Sequence, residues 1–170
     1  MSVTDRPARM VGYLDGRGGN EQRETRWLTP PPLVQALGQF DLDPCGAPGH
    51  ELATRTYLLE NGDDGLRDPW FGRVWLNPPY GREAEPFLRK LADHGHGTAL
   101  IFAATETRVF FETVWERATA LVFIRGRVKF WTKDGDSGNS AGKPSVLVAY
   151  GHRDANALQE SGLGQFVVLR

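Results

Sequence analysis

Apolar positions along the chain fall into two rhythms. Leu33, Val34 and Leu37 recur at helical spacing behind Thr29-Pro30. Thr29 suits a helix N-cap, Pro30 suits the first helical position, where a missing N–H costs nothing, and Gly38 ends the segment. Phe87, Leu88 and Leu91 mark a second helix over 83–94, and Phe110, Val114, Trp115 and Ala118 mark a third over 107–117. The other rhythm is the short apolar run. Residues 40–43 read as a strand stopped by Pro44, and further strands are predicted near 57–59 and at 73–76, 98–103, 121–124, 146–150 and 166–169. The run at 98–103 is apolar throughout, as expected of a strand buried on both faces. Strands alternating with helices predict an α/β fold, a mostly parallel sheet with helices on both faces. Residues 134–142, rich in Gly, Ser, Asp and Asn, read as a mobile loop.

Length and composition narrow this picture. The 170 residues suit one domain. Residues 1–26 mix five arginines with acids and glycines and read as a flexible, solvated arm, which leaves 27–170 as the single domain. Lys plus Arg number 20 against 21 Asp plus Glu, a net charge of −1, so a bulk electrostatic coat for nucleic acid is excluded while a local basic patch is not. The one cysteine, Cys45, excludes an internal disulfide and points to a reducing, cytoplasmic setting. No apolar run approaches a membrane span, and the first residues lack a secretory leader's hydrophobic stretch. His50, His94, His96 and His152 are scattered, with no Cys or acidic ligands at metal spacing, so no metal site is expected.

Asn77-Pro78-Pro79-Tyr80 carries the chemistry. It closes a predicted strand, and ligands of doubly wound sheets bind beyond strand carboxyl ends. Two prolines fix φ and remove two backbone donors, which frees carbonyls to accept. Asn77 adds a side-chain acceptor and Tyr80 a flat ring. A planar amino group on a heterocycle or amide has two N–H donors and a delocalised, weakly nucleophilic lone pair. Acceptance of both hydrogens by Asn77 Oδ1 and the Pro78 carbonyl localises that pair and aims it at an electrophile. The bonds strengthen as charge grows on nitrogen, which is the differential binding that catalysis requires. An asparagine carbonyl is a poor general base, so the proton leaves after alkyl transfer, to water.

With these residues in place, the sequence resembles the amino-methyltransferases that use S-adenosylmethionine, most closely the phage-type DNA N-6-adenine methyltransferase family. Stretches matching in order are Trp27-x-Thr29-Pro30, Asp41 to Cys45, Asp64-Gly65-Leu66 with Trp70, Val74 to Gly81, Ala103-Ala104-Thr105-x-Thr107 and Gly126 to Phe130. The resemblance implies a Rossmann-like methyltransferase fold, S-adenosylmethionine as methyl donor, and adenine in DNA as acceptor, with Asn77, Pro78, Pro79 and Tyr80 as the catalytic set. It also implies donor contacts at Trp27, Thr29, Pro30, Asp43, Pro44 and Asp64. Thr29 and Pro30 would sit near the donor's methionine part, Asp43 would accept from its ammonium, and Asp64 would meet its adenine. Glu60 is a candidate for its ribose. A phage protein of this kind would work in the bacterial host cytoplasm. The loop after Asp43 reads Pro44-Cys45-Gly46-Ala47-Pro48-Gly49 and is no phosphate-cradling GxGxxG.

Adenine inside a duplex hides its amine, so the base must be flipped out or offered single-stranded. Arg125, Arg127 and Lys129 alternate with Gly126, Val128 and Phe130, which places the cations on one face of an extended segment. With Arg82, Lys133 and Lys143 they form an expected nucleic-acid rim. The same tetrapeptide could serve the N4 amine of cytosine or a glutamine amide in a protein. A DNA-binding or decoy module that has kept the fold and lost activity is the alternative of another class. Recognition sequence and oligomeric state are not legible.

Overall fold

The apolar runs form the middle of a seven-stranded sheet because both of its faces are covered. The structure is a computed structural model that describes residues 28–131 and 137–170. The arm predicted at 1–26, Trp27 and Lys133 lie outside the described residues. The strands are β1 (Leu42–Asp43), β2 (Arg55–Thr56), β3 (Val74–Leu76), β4 (Gly97–Phe102), β5 (Ala120–Ile124), β8 (Ser145–Tyr150) and β9 (Gly164–Val168), in spatial order β2-β1-β3-β4-β8-β5-β9. A separate hairpin pairs β6 (Lys129–Trp131) with β7 (Ser137–Ser140). The helices are α1 (Pro31–Gln35), α2 (Ala84–His94), α3 (Arg108–Phe110, continuing as a π-helical turn over Phe111–Trp115) and α4 (His152–Glu160).

Period-two alternation divides each central strand between two cores. Val74, Leu76, Ala99, Ile101 and Leu121 pack with α2 and α3 on one face, while Trp75, Leu100, Ala120, Val122 and Leu147 pack with α1 and α4 on the other. Helices therefore cover both faces, as expected. Gly95 at φ 72° ends α2 in a left-handed cap.

The predicted mostly parallel sheet is corrected: the sheet is mixed. β2, β1, β3 and β4 are parallel neighbours, whereas β8 runs antiparallel to both β4 and β5, and β9 antiparallel to β5. The cause is the hairpin. The chain leaves β5 at its carboxyl end, turns through β6 and β7 there, and re-enters without a crossover, so β8 must run back. Two local expectations also shift. The strand expected near 57–59 lies at Arg55–Thr56, because Asp63 Oδ2 accepts from the Leu58 N–H at 2.9 Å and draws the chain into a 3₁₀ turn at Leu59–Asn61. Residues 137–140 of the expected loop are strand β7.

An ion pair that the hydrophobic pattern hides ties the amino edge together. Arg73, 2% exposed, meets Asp154, 0% exposed, at 2.9 Å. Its Nη1 also donates to the carbonyls of Leu37 and Gln39, and its guanidinium lies 4.1 Å over the Phe40 ring. Thr98 donates to the same carboxylate at 2.7 Å.

Candidate active site

The chain passes from β1 to β2 on one side, then returns to β3 on the other side of β1. That reversal opens a crevice beyond the carboxyl ends of β1 and β3, and Asp43 ends one strand while Asn77 follows the other.

Asn77 is half-buried. Its Nδ2 donates to Thr29 Oγ1 at 3.1 Å, and its Oδ1 is buried with no hydrogen-bond partner among the described residues. Buried acceptors are normally paired, and this one stands unpaired at the carboxyl end of β3. No backbone N–H among the described residues donates to the Pro78 carbonyl. Tyr80 stacks on Phe102, at the end of β4, with ring centroids 4.4 Å apart and planes 17° off parallel, and meets the Phe130 ring edge-on at 6.3 Å. Burial pushes the Tyr80 hydroxyl well up, so this side chain stays neutral.

Thr29 does not cap α1, a correction to the expectation. The N-cap is Pro30 and the helix starts at Pro31. Pro31 and Pro32 lack N–H groups, and the Leu33 N–H bonds to the Pro30 carbonyl at 3.0 Å, so a capping side chain would find little to accept. Thr29 is instead 1% exposed and spoken for by Asn77 and by His50, whose Nε2 lies 2.9 Å from the Thr29 carbonyl oxygen.

Asp43 is 4% exposed, and its Oδ1 accepts from the Cys45 N–H at 3.0 Å. Burial outweighs that bond and raises its carboxyl from the ordinary 3.8 to about 7. Burial and the neighbouring Asp43 push the Cys45 thiol well up, which makes it a poor nucleophile. Beside Pro44 an open cavity of about 230 Å³ is walled by Tyr57, Asp63, Asp64, Pro79 and Phe87 among others. Sites for a whole drug-sized ligand run to about 300–1,000 Å³, so this space suits one ring system. Asp63 spends both oxygens, on Arg55 and on the Leu58 N–H. Asp64 commits Oδ1 to the N–H groups of Leu66 and Arg67, while no hydrogen bond reaches its Oδ2 among the described residues. Gly65 lets the walls meet: a Cβ there would lie 2.3 Å from the Pro44 carbonyl oxygen.

Of the expected donor contacts, the structure puts Pro44 and Asp64 on the cavity and Thr29 on Asn77; Asp43 is buried and does not line the cavity, Pro30 is the N-cap of α1, and Glu60 is exposed and does not line the cavity either. Sequence reasoning missed Tyr57, Phe87, His50 and Lys90. Lys90 lies 5.1 Å over the Trp70 ring and donates to the carbonyls of Gly65, Leu66 and Asp68, which pins the Asp64 turn to α2. Tyr57 follows a strand at the carboxyl edge, a signal that could have found it. Nothing in the sequence marks Lys90 or His50.

Arg125, Arg127, Lys129 and Lys143 are exposed around the hairpin, with Val128 and Phe130 buried between them, and Arg82 is exposed two residues after Tyr80. None of these five forms an ion pair among the described residues, whereas Arg55, Arg67, Arg73, Arg89, Arg108 and Arg117 each meet a carboxylate. No cluster of three or more His, Cys, Asp or Glu able to hold a metal occurs among the described residues, and none of their helices is long and apolar enough to cross a membrane.

A family model described as DNA N-6-adenine-methyltransferase (Dam) matches residues 19–158. The DNA N-6-adenine-methyltransferase of Escherichia phage T1 is 23% identical over 153 residues, covering 84% of this chain and 61% of that protein. The chain thus spans about three fifths of the curated relative's length. No solved structure matches it.

Proposed function

The chain belongs to the DNA N-6-adenine-methyltransferase family, and from that premise we propose that it methylates the exocyclic N6 amine of adenine in DNA, with S-adenosylmethionine as donor. The observation that carries this reading is Asn77 Oδ1, a buried acceptor without a partner at the carboxyl end of β3. When bound, the donor supplies an electrophilic methyl group on a sulfonium. Asn77 Oδ1 and the Pro78 carbonyl accept the two amine hydrogens and localise the nitrogen lone pair. Tyr80, backed by Phe102, holds the base by its face. The nitrogen lone pair would then take the methyl carbon, with the S–C bonding electrons leaving on sulfur and the surplus amine proton passing to water.

The residues present suit the donor. The cavity beside Pro44, with Asp64 among its lining residues, suits a purine ring and its amine. Asp43 offers a buried carboxyl to an ammonium group. A protonated Asp43 lacks the charge that attracts that partner, so donor affinity should rise with pH toward about 7 and level off above it. Calorimetric titration with the donor from pH 5.5 to 7.5 should show this slope, and Asp43→Asn should bind more weakly and flatten it. Without donor the sign reverses for folding. The folded Asp43 keeps a proton that the unfolded chain releases near 3.8, so this group's share of stability falls as pH rises through about 7.

The cations of the hairpin and Arg82, which form no ion pair among the described residues, make up the DNA rim in this reading. Arg127→Glu with Lys129→Glu should weaken DNA binding at least tenfold at moderate salt and flatten its salt dependence by roughly two phosphate contacts. Unchanged binding in a fluorescence-anisotropy titration would reject the rim. The whole reading is tested by incubating the protein with methyl-labelled donor and DNA, then separating nucleosides. Label in N6-methyladenine supports it. Label in N4-methylcytosine or in a protein glutamine redirects it to another amine, and no label together with no heat of donor binding leaves a non-catalytic DNA-binding module.

A further inference from the structure

An asparagine amide is nearly symmetric in shape, so packing alone does not decide whether its oxygen or its nitrogen faces a substrate. In this site Thr29 Oγ1 is the hydrogen-bond partner of Asn77 Nδ2 at 3.1 Å, with Oδ1 left buried and without a partner among the described residues. A hydroxyl can bond to either end of the amide, so it fixes where the side chain sits, and the donor N–H groups of the substrate select the oxygen. A reversed amide would present two N–H donors to an amine that is itself a donor. We propose that Thr29 is a positioning residue that anchors the Asn77 side chain beside the substrate amine, an inference that rests on the methyl-transfer reading and reassigns the threonine expected to touch the donor.

The rest of the segment is built to hold Thr29 still. Leu28 exchanges two backbone hydrogen bonds with Trp131 of the hairpin, at 3.0 and 2.8 Å. The His50 ring bonds to the Thr29 carbonyl at 2.9 Å. None of these three bonds uses the threonine side chain. Thr29→Val keeps the shape and removes the hydroxyl, so the segment should stay seated while the amide loses its partner. Thr29→Ser keeps the hydroxyl and loses only a methyl.

Three readouts separate positioning from donor contact. At saturating donor and DNA, Thr29→Val should lower kcat about 10- to 100-fold, an effect of misorientation rather than lost binding. Its donor affinity by calorimetry should stay within about threefold of the wild type, and Thr29→Ser should restore kcat to a similar margin. In the folded wild type, the assigned Asn77 side-chain amide protons should exchange more slowly than those of an exposed asparagine, a measurement that needs no activity and no variant. Normal turnover by Thr29→Val overturns the proposal, and so does weakened donor binding with kcat intact, or fast exchange of the Asn77 amide. A wild type that methylates no DNA overturns the methyl-transfer reading and the positioning role with it; an active wild type with an equally active Thr29→Val overturns the positioning role alone.

Discussion

Asn77→Ala should abolish methylation while leaving donor binding and the fold in place. The substitution deletes an acceptor that is buried without a partner among the described residues, at the carboxyl end of β3. Loss of a single group that meets charge developing in a transition state typically costs about 10²- to 10³-fold in kcat. Stability should change little, because the half-buried Asn77 makes one side-chain hydrogen bond among the described residues, to Thr29. Asn77→Asp is the informative companion. A carboxylate still accepts, and Thr29 can rotate its hydroxyl to donate to it, so activity should fall less than in the alanine variant. Label incorporation at saturating donor, with the melting temperature measured alongside, checks both. Alanine turnover within tenfold of wild type would remove Asn77 from the mechanism.

The proposed catalytic corner could be picked out in the sequence because its chemistry is contiguous: acceptor, rigid corner and ring occupy four successive residues after an apolar strand. The period-two alternation was legible for the same reason, and the structure buries Val128 and Phe130 while exposing Arg127 and Lys129. Features assembled from distant segments were not. Lys90 reaches carbonyls more than twenty residues away, and helical periodicity makes it merely a polar position. The helix cap assigned to Thr29 failed because local preference was read without the partner 48 positions later. Strand direction was missed because an apolar run looks alike whichever way it crosses the sheet. The Asp63-Asp64 pair shows the limit at its finest: adjacent, identical residues whose roles separate only once the turn shows which one has an oxygen to spare.

The buried pair Arg73–Asp154 should yield the largest loss of stability, with an asymmetry set by acid–base chemistry. Removing one partner of a buried pair typically costs about 3–5 kcal/mol, because a charge is left in a dry site. Arginine cannot shed its proton at any ordinary pH, whereas aspartate can gain one. Burial already pushes the Asp154 carboxyl up, against the pull of Thr98 and Arg73. Asp154→Leu therefore strands a permanent cation among Leu37, Gln39 and Phe40 and should be the more damaging single change. Arg73→Met strands a group that can neutralise itself, so its deficit should shrink as pH falls from 8 to 5. The double variant Arg73→Met, Asp154→Leu should recover much of either loss, since even the native pair leaves Arg73 Nη2 and Asp154 Oδ2 without partners. Urea unfolding of the three variants across that pH range measures the cycle. Equal, pH-independent losses in both single variants would mean that shape, not charge, is what the site requires.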